Sequence, residues 1–446
     1  MKKVSRWAMK AASHAETDRI NRPHRQGTFA ALKLPAYRIF FGALLMQMTA
    51  MNMQMVARSW FMYELTGSAV MLGAVGLGSA LPILTVSLFG GVLADRIRKK
   101  SILVAGQFAS ALVALGIAVS ISVGAIGWIH LFVASLCQGL VLALMMPARQ
   151  ALIYELVGDN TLMNAIALNA AAMNFIRLTA PAFAGFFIAF WGIEGVYYIM
   201  TVLYAIGFMF AVRLPRTGTD RRRESTTIQE LTEGLRYIRH NANVLAILVL
   251  TLFATVLCMP YLFLLPIFTR DIFLVDVSIF GRLASWPLIG SLLLALGESS
   301  ARQGLLISVS GLGALAGSLF VASMSSRKRG LIFLLSLLLA AVSLLAFSAT
   351  RSYLLALIFF ITLGLGLAGR LALSNTLLLS NTDDIHQGRV MSVHMMNWGI
   401  TMVGVFFVSI LADRVGVQLA VGGCAGLLAV ITLYYLFLTS RIRSLD

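Results

Sequence analysis

The chain has 446 residues, 59 % of them apolar and only 12 % charged, with a formal net charge of +17. Soluble domains carry about 25 % charged residues, and at a mean hydropathy of +0.87 a soluble chain would expose enough apolar surface to aggregate. The composition excludes a set of soluble domains and fits a chain whose solvent is lipid, where about 20 apolar residues cross the hydrocarbon core. Basic residues gather at the chain ends and in alternate loops, not interleaved with aromatic residues on a polar fold. That excludes nucleic acid as a partner and fits topology signals facing an anionic inner leaflet. Cys137, Cys258 and Cys424 lie far apart inside apolar runs, with neither disulfide nor metal-ligand spacing, so no metal and no cofactor is expected.

Residues 1–35 are polar and basic, with no apolar core before a cleavage site; they read as a disordered cytoplasmic tail and not a signal peptide. The first span, near 37–63, puts Gln47, Met51, Gln54 and Arg58 on one helix face. It also holds Met46, Met48, Met53, Met55 and Met62, flexible thioethers that suit promiscuous apolar ligands as well as ordinary core. Further spans are expected near 68–94, 101–123, 128–150, 162–190 and 193–214. Between the second and third stands GGVLADRIRKK, residues 90–100. There Gly91 permits close helix approach, Asp95 sets a carboxylate at the membrane edge, and Arg96, Arg98, Lys99 and Lys100 hold the turn at the inner surface. A plain positive-inside turn would explain the bases but not the acid. Arg149 and Glu155 end the fourth span at the same depth, so Asp95, Arg96, Arg149, Glu155 and Arg389 are candidates for a cytoplasmic gate network. Static surface ion pairs, each worth well under about 1 kcal/mol, are the plainer alternative.

The fifth span carries Asn174, Arg177 and Pro181 on one face, with Gly185 beyond; Pro181 is expected to bend the helix and Gly185 to allow close packing. The polar stretch 215–241 reads as a cytoplasmic linker, and its end, TIQELTEGLRYIRHN, as an amphipathic surface helix. Six more spans are expected near 242–268, 303–325, 330–349, 353–379, 389–411 and 417–440, with a short tail at 441–446. Residues 286–297 are too few to cross and are assigned to a long external loop, 269–302, that touches the membrane. Arg370 in the tenth span and His394, Asn397, Trp398 and Thr401 on one face of the eleventh complete the polar residues within the bilayer. Intramembrane arginines are costly and by default functional. Gln47, Gln54, Arg58, Asn174, Arg177, Arg370, His394, Asn397 and Trp398 are therefore the candidate cavity residues, with helix-to-helix packing as the alternative.

With both termini inside, the inner loops and tails hold 26 Lys and Arg and the outer loops five, Arg270, Arg282, Arg302, Arg351 and Arg414. The two halves echo each other in their basic loops, DRIRKK and SSRKRG, as transporters built from internal repeats do. The expectation is an all-α integral membrane protein of twelve transmembrane helices in two pseudo-symmetric six-helix bundles, 36–214 and 242–440.

On GGVLADRIRKK the chain resembles the major facilitator superfamily, whose loop between spans two and three carries Gly-x-x-x-Asp-Arg-x-x-Arg-Arg. The match is good at Gly91, Asp95, Arg96, Lys99 and Lys100 and departs at Arg98, where many members have Gly. WFMYELTGSAVMLG, LPILTVSLFGGVLADR and PARQALIYELVGDNTLMNAIALN are similar to the secretion-effector branch, which includes enterobactin exporters. The resemblance implies the major facilitator fold, alternating access, and a gate role for the acid of this loop. It also implies proton-motive export of a small organic molecule from a bacterial cytoplasm across the inner membrane. Ala180-Pro181 followed by Gly185 is a weakened form of the exporters' fifth-span motif. The cargo class expected is siderophore-like, drug-like or another amphipathic metabolite. An importer or lysolipid-type flippase on the same fold, or a non-transporting membrane sensor, stays open. No nucleotide-binding loop, His-Glu-x-x-His or Gly-x-Ser-x-Gly run exists, so no enzyme is expected.

Overall fold

The computed structural model describes residues 29–96, 98–215, 227–273, 295–324, 328–383 and 386–445; within these, the side chains of 87–96, 159–160, 227–232, 395, 398 and 440 lie outside the description. A backbone in lipid must satisfy its own hydrogen bonds, and the apolar runs do so as helices. In the first half these are α1 (Pro35–Thr66), α2 (Ala69–Arg96), α3 (Lys99–Ser122) and α4 (Trp128–Gly158). The next segment, Thr161–Val212, has 52 residues. At 1.5 Å per residue that is about 78 Å, far more than one crossing. It breaks at Gly192, where φ is +75°, into α5 (161–191) and α6 (193–212). Gly158, at φ +65°, makes the matching turn between α4 and α5; both turns need a left-handed conformation that side chains disfavour. α1 likewise ends at Gly67, φ +59°, whose N–H donates to the Tyr63 carbonyl at 2.8 Å.

After α7 (Thr227–His240) come α8 (Ala242–Ile272), α9 (Ser299–Ser323), α10 (Arg329–Ala349), α11 (Tyr353–Ser380), α12 (Gln387–Val415) and α13 (Val417–Phe437), then a short α14 (Ser440–Arg443). With Thr161–Val212 counted as two, the eleven long apolar segments among the described residues make twelve crossings, and the expected spans coincide with them to within several residues. Residues 98–100, 213–215, 227–240 and 328–329, the described parts of the basic stretches, share one end of the bundle, called here the basic end. Residues 269–273 and 295–302 mark the opposite end.

Several boundaries differ from expectation. Residues 30–33 form a 3-10 turn, and the Ala31 N–H donates to Asn164 Oδ1 of α5 at 2.9 Å, so the last part of the tail is docked. The C-terminal residues also fold back: the Gly330 N–H donates to the Leu445 carbonyl at 2.9 Å and Ile442 is fully buried. α9 starts at Ser299, because Arg302, expected in a loop, buries its guanidinium on the carbonyls of Thr269, Leu296 and Gly297. Most of 286–297 lies outside the described residues.

α7 packs on the basic end of α12. Arg389 pairs with Glu233 at 2.8 Å, and Tyr237 stacks on His386 with ring centroids 4.2 Å apart. Asn241 caps α8, accepting from the N–H groups of Asn243 and Val244, while its amide donates to the Asn381 carbonyl at 3.1 Å.

The halves meet along α5–α9 and α2–α12, and glycines mark the close approaches. A Cβ on Gly185 would lie 2.3 Å from the Ser300 carbonyl oxygen, and one on Gly304 would lie 2.3 Å from that of Pro181. Gly73 faces Ser409, Gly311 faces Leu178, and Gly399 faces Leu84. Among the described residues, these approaches lie at mid-membrane or toward the opposite end.

Candidate functional site

The polar face of α1 divides when its partners are seen. Gln47 is buried and donates its amide to Met145 Sδ of α4 at 3.3 Å. Gln54 accepts from the Tyr204 hydroxyl of α6 at 3.5 Å, and Gln138 of α4 donates to that hydroxyl at 3.1 Å. These contacts lie inside the first half and hold its helices together. Arg58 is half-buried, with the phenols of Tyr197 and Tyr204 as its electrostatic neighbours. It lines a small crevice together with Leu72 and Val75 of α2 and Leu262 and Phe263 of α8. Arg58 therefore reaches the interface between the halves, whereas Gln47 and Gln54 do not.

A second group gathers on the other side of that interface. Arg370 of α11 is 4 % exposed, with Cys258 and Tyr261 of α8 as electrostatic neighbours. Tyr261 also faces Arg177 of α5, and His394 of α12 faces Arg370. Arg177 is exposed and Asn174 half-buried at mid-membrane. The exposed Arg177 is thus an electrostatic neighbour of Tyr261 of the other half. Asn397, one turn beyond His394, is buried as well. Among the described residues, Arg370 Nε, His394 Nδ1 and Asn397 Nδ2 are all buried without a hydrogen-bond partner. The Trp398 side chain lies outside the described residues.

The candidate gate residues at the basic end take separate partners. α2 runs as a helix through Gly91, Asp95 and Arg96, whose side chains lie outside the described residues. Lys99 opens α3 and forms an ion pair with Glu155 of α4, and Lys100 donates to the Leu214 carbonyl. Arg389 binds Glu233, and Arg149 turns into the first half, Nη1 standing 3.7 Å from Met48 Sδ. Glu155, Arg149 and Arg389 are thus not brought together. Pro181 keeps helical dihedrals within α5, whose breaks are at Gly158 and Gly192. Pro181 and Gly185 instead form the surface on which α9 packs.

Sequence reasoning missed the tie at the opposite end. Ser59 accepts from Gln303 Nε2 at 2.9 Å, Trp60 donates to Ser299 Oγ at 2.8 Å, Tyr63 donates to Asp271, and Glu64 accepts from Arg270 at 2.8 Å. One helical turn-and-a-half of α1 thereby holds α8 and α9 of the other half. Glu64 and Asp271 were visible as outer acids, but nothing in a linear chain pairs them. Tyr197, Tyr204, Cys258 and Tyr261 were missed as well, because neutral residues in an apolar run carry no polar stripe.

The transmembrane secretion effector family matches residues 26–303, and the Major Facilitator Superfamily matches residues 272–445. The staphyloferrin A transporter of Staphylococcus aureus (strain NCTC 8325 / PS 47) is 24 % identical over 242 residues, 54 % of this chain and 61 % of that protein. Macrolide efflux protein A of Streptococcus pyogenes is 28 % identical over 291 residues, covering 62 % and 70 % of the two chains. The match thus spans less than two thirds of the first relative's length. Among solved structures, a peptide transporter POT in complex with sulfate superposes with a TM-score of 0.72 at 12 % identity, over 92 % of this chain and 95 % of that one. The nucleoside transporter NupG gives 0.66 at 12 % identity, over 90 % and 98 %. At these identities the likeness is one of fold. The family match, which extends over more than half the chain, makes the protein a member of the transmembrane secretion effectors of the Major Facilitator Superfamily, a multi-pass membrane protein.

Proposed function

We propose that this transporter exports a small amphipathic organic molecule from the cytoplasm by alternating access. In this reading it sits in a bacterial inner membrane with both termini and the basic end cytoplasmic. The observation that carries the proposal is the asymmetry of the interface between the halves. The opposite end is tied by Ser59, Trp60, Tyr63 and Glu64, while Arg177 is exposed at mid-membrane beside Tyr261. A cationic, aromatic site closed on one side is suited to load from the other. The 26-to-5 distribution of Lys and Arg favours the basic end as the cytoplasmic one. The likeness to a macrolide efflux protein supports outward movement, and the likeness to a staphyloferrin A transporter supports an organic cargo.

The proton-motive force is the proposed drive. No Asp or Glu lies in the middle of a span, so the proton path is proposed to run outside the span centres.

The test is metabolite profiling of medium and cell extract from a strain lacking the protein and one overproducing it. An Arg177→Ala variant at equal expression serves as the control. The expected result is a compound enriched outside with the intact protein alone, and lost on adding a protonophore. Depletion from the medium with enrichment inside would overturn export.

A further inference from the structure

Two arginines in the second half are almost equally buried, yet only one is satisfied. Arg302 is 6 % exposed and delivers its guanidinium to three backbone carbonyls, which is how a guanidinium is held when its role is to pin structure. Arg370, 4 % exposed, leaves Nε without a partner. Beside it His394, and one helical turn further along α12 Asn397, leave Nδ1 and Nδ2 buried and without a hydrogen-bond partner among the described residues. A buried charge without a counter-charge is strongly unfavourable, and unpaired buried donors add to that.

The helices that carry this group offer no carboxylate: residues 161–191, 242–270, 353–380 and 387–412, which contribute Arg177, Tyr261, Arg370 and His394, contain no Asp or Glu. Among the described residues no carboxylate stands as an electrostatic neighbour of Arg370, which leaves its counter-charge to be supplied from outside the polypeptide. A guanidinium fork prefers a planar oxyanion, which it binds through parallel N–H donors. The Asn397 amide adds a neutral donor, and the Tyr261 ring and Cys258 supply apolar contact. Arg177, exposed at mid-membrane and sharing Tyr261 as a neighbour, is placed to draw an anion inward.

We infer that Arg370, His394 and Asn397 form the recognition site for a carboxylate group on the cargo, which makes the cargo an amphipathic organic anion. The inference rests on the transport proposal above and narrows its substrate class. The carboxylate sits against Arg370 with Asn397 as second donor, and the apolar body lies toward Tyr261. Arg58, surrounded by phenols and apolar side chains, faces the opposite side of the interface.

The test uses the purified full-length protein in nanodiscs near neutral pH and three probes of matched shape. These are 1-naphthaleneacetate, its neutral amide, and the 1-naphthylmethylammonium cation. Binding is followed by the shift in melting temperature and by direct titration. The carboxylate is expected to bind and stabilise, and the amide and cation to do so at least about tenfold more weakly. Arg370→Gln should weaken carboxylate binding by about tenfold to a hundredfold and erase the preference over the amide. Should Arg370→Gln not fold, Arg370→Lys and Asn397→Ala decide the matter: both should weaken carboxylate binding by more than they weaken amide binding. Equal binding of carboxylate and amide, preference for the cation, no response to any probe, a carboxylate preference surviving in Arg370→Gln, or unchanged carboxylate binding in Arg370→Lys and Asn397→Ala would overturn the assignment. Flux into proteoliposomes separates the two proposals. Arg370-dependent binding without flux would remove transport and keep the site, whereas flux of neutral compounds without anion preference would do the reverse.

Discussion

The indole N–H of Trp60 donates to the hydroxyl of Ser299 at 2.8 Å, joining α1 of the first half to the first residue of α9 in the second. The neighbouring contacts of Ser59, Tyr63 and Glu64 repeat the link on the same stretch of helix. Alternating access requires that this end come apart. A seam made of side-chain hydrogen bonds and glycine contacts, each worth little alone, can open without unfolding either half.

Within this seam the contacts differ in strength. Gln303 is fully buried and its partner Ser59 nearly so, whereas Arg270 and Glu64 are 42 % and 43 % exposed. Gln303→Ala should destabilise the closed form by about 0.5–1.5 kcal/mol by removing the buried hydrogen bond to Ser59, whose hydroxyl keeps its bonds to the Met55 and Val56 carbonyls. Arg270→Gln should change it by less than about 1 kcal/mol. Distances between spin labels placed across the opposite end on α1 and α9 measure both. A larger opening in Arg270→Gln than in Gln303→Ala would reverse this ranking.

Gly185 and Gly304 pack backbone on backbone, and a methyl group at either would meet a carbonyl oxygen at 2.3 Å. Backbone cannot step aside as a flexible side chain can. Gly304→Ala is expected to cost the closed form about 1–3 kcal/mol, enough to favour opening at that end by about tenfold. Accessibility of a cysteine introduced in α9 to a membrane-impermeant thiol reagent, applied from the opposite side, should rise correspondingly. Unchanged labelling at equal expression would show that α5 and α9 tolerate a wider spacing.

At the other end, α7 is strapped to the loop before α12. The Tyr237 hydroxyl accepts from the Asp383 N–H at 3.2 Å while its ring stacks on His386. Tyr237→Phe keeps the ring and loses the hydrogen bond; Tyr237→Ala loses both. A stacked pair is worth about 0.5–1.5 kcal/mol, so hydrogen exchange in α7 should quicken modestly for Phe and clearly more for Ala. Equal rates in all three proteins would mean that Arg389 and Glu233 hold the helix without it.

The residues that could be named in advance share one property: each is expensive in lipid. Arg58, Arg177 and Arg370 stand out in apolar runs, and so do His394 and Asn397, because hydrocarbon offers them no partner. Tyr261, Tyr197 and Tyr204 have no such mark, since a tyrosine in a span is common and its hydroxyl often bonds locally. The spacing of Gln47 and Gln54 with Arg58 correctly placed them on one helix face. It could not tell which part of that face meets α4 and α6 of the same half and which part meets α8 of the other.

Span length, helix type and the number of crossings follow from chain chemistry alone, because lipid imposes one rule on every segment. A backbone must be helical and about 20 residues must suffice to cross. Glycines at 158 and 192 then set the turns that this rule requires. Pairing between the halves obeys no local rule. Among the described residues, Trp60 finds Ser299, and Arg370 keeps Nε without a hydrogen-bond partner, only because the helices are packed in a particular order. Which buried polar groups are satisfied is decided by that packing, since partnership depends on distance in space and not on separation along the chain.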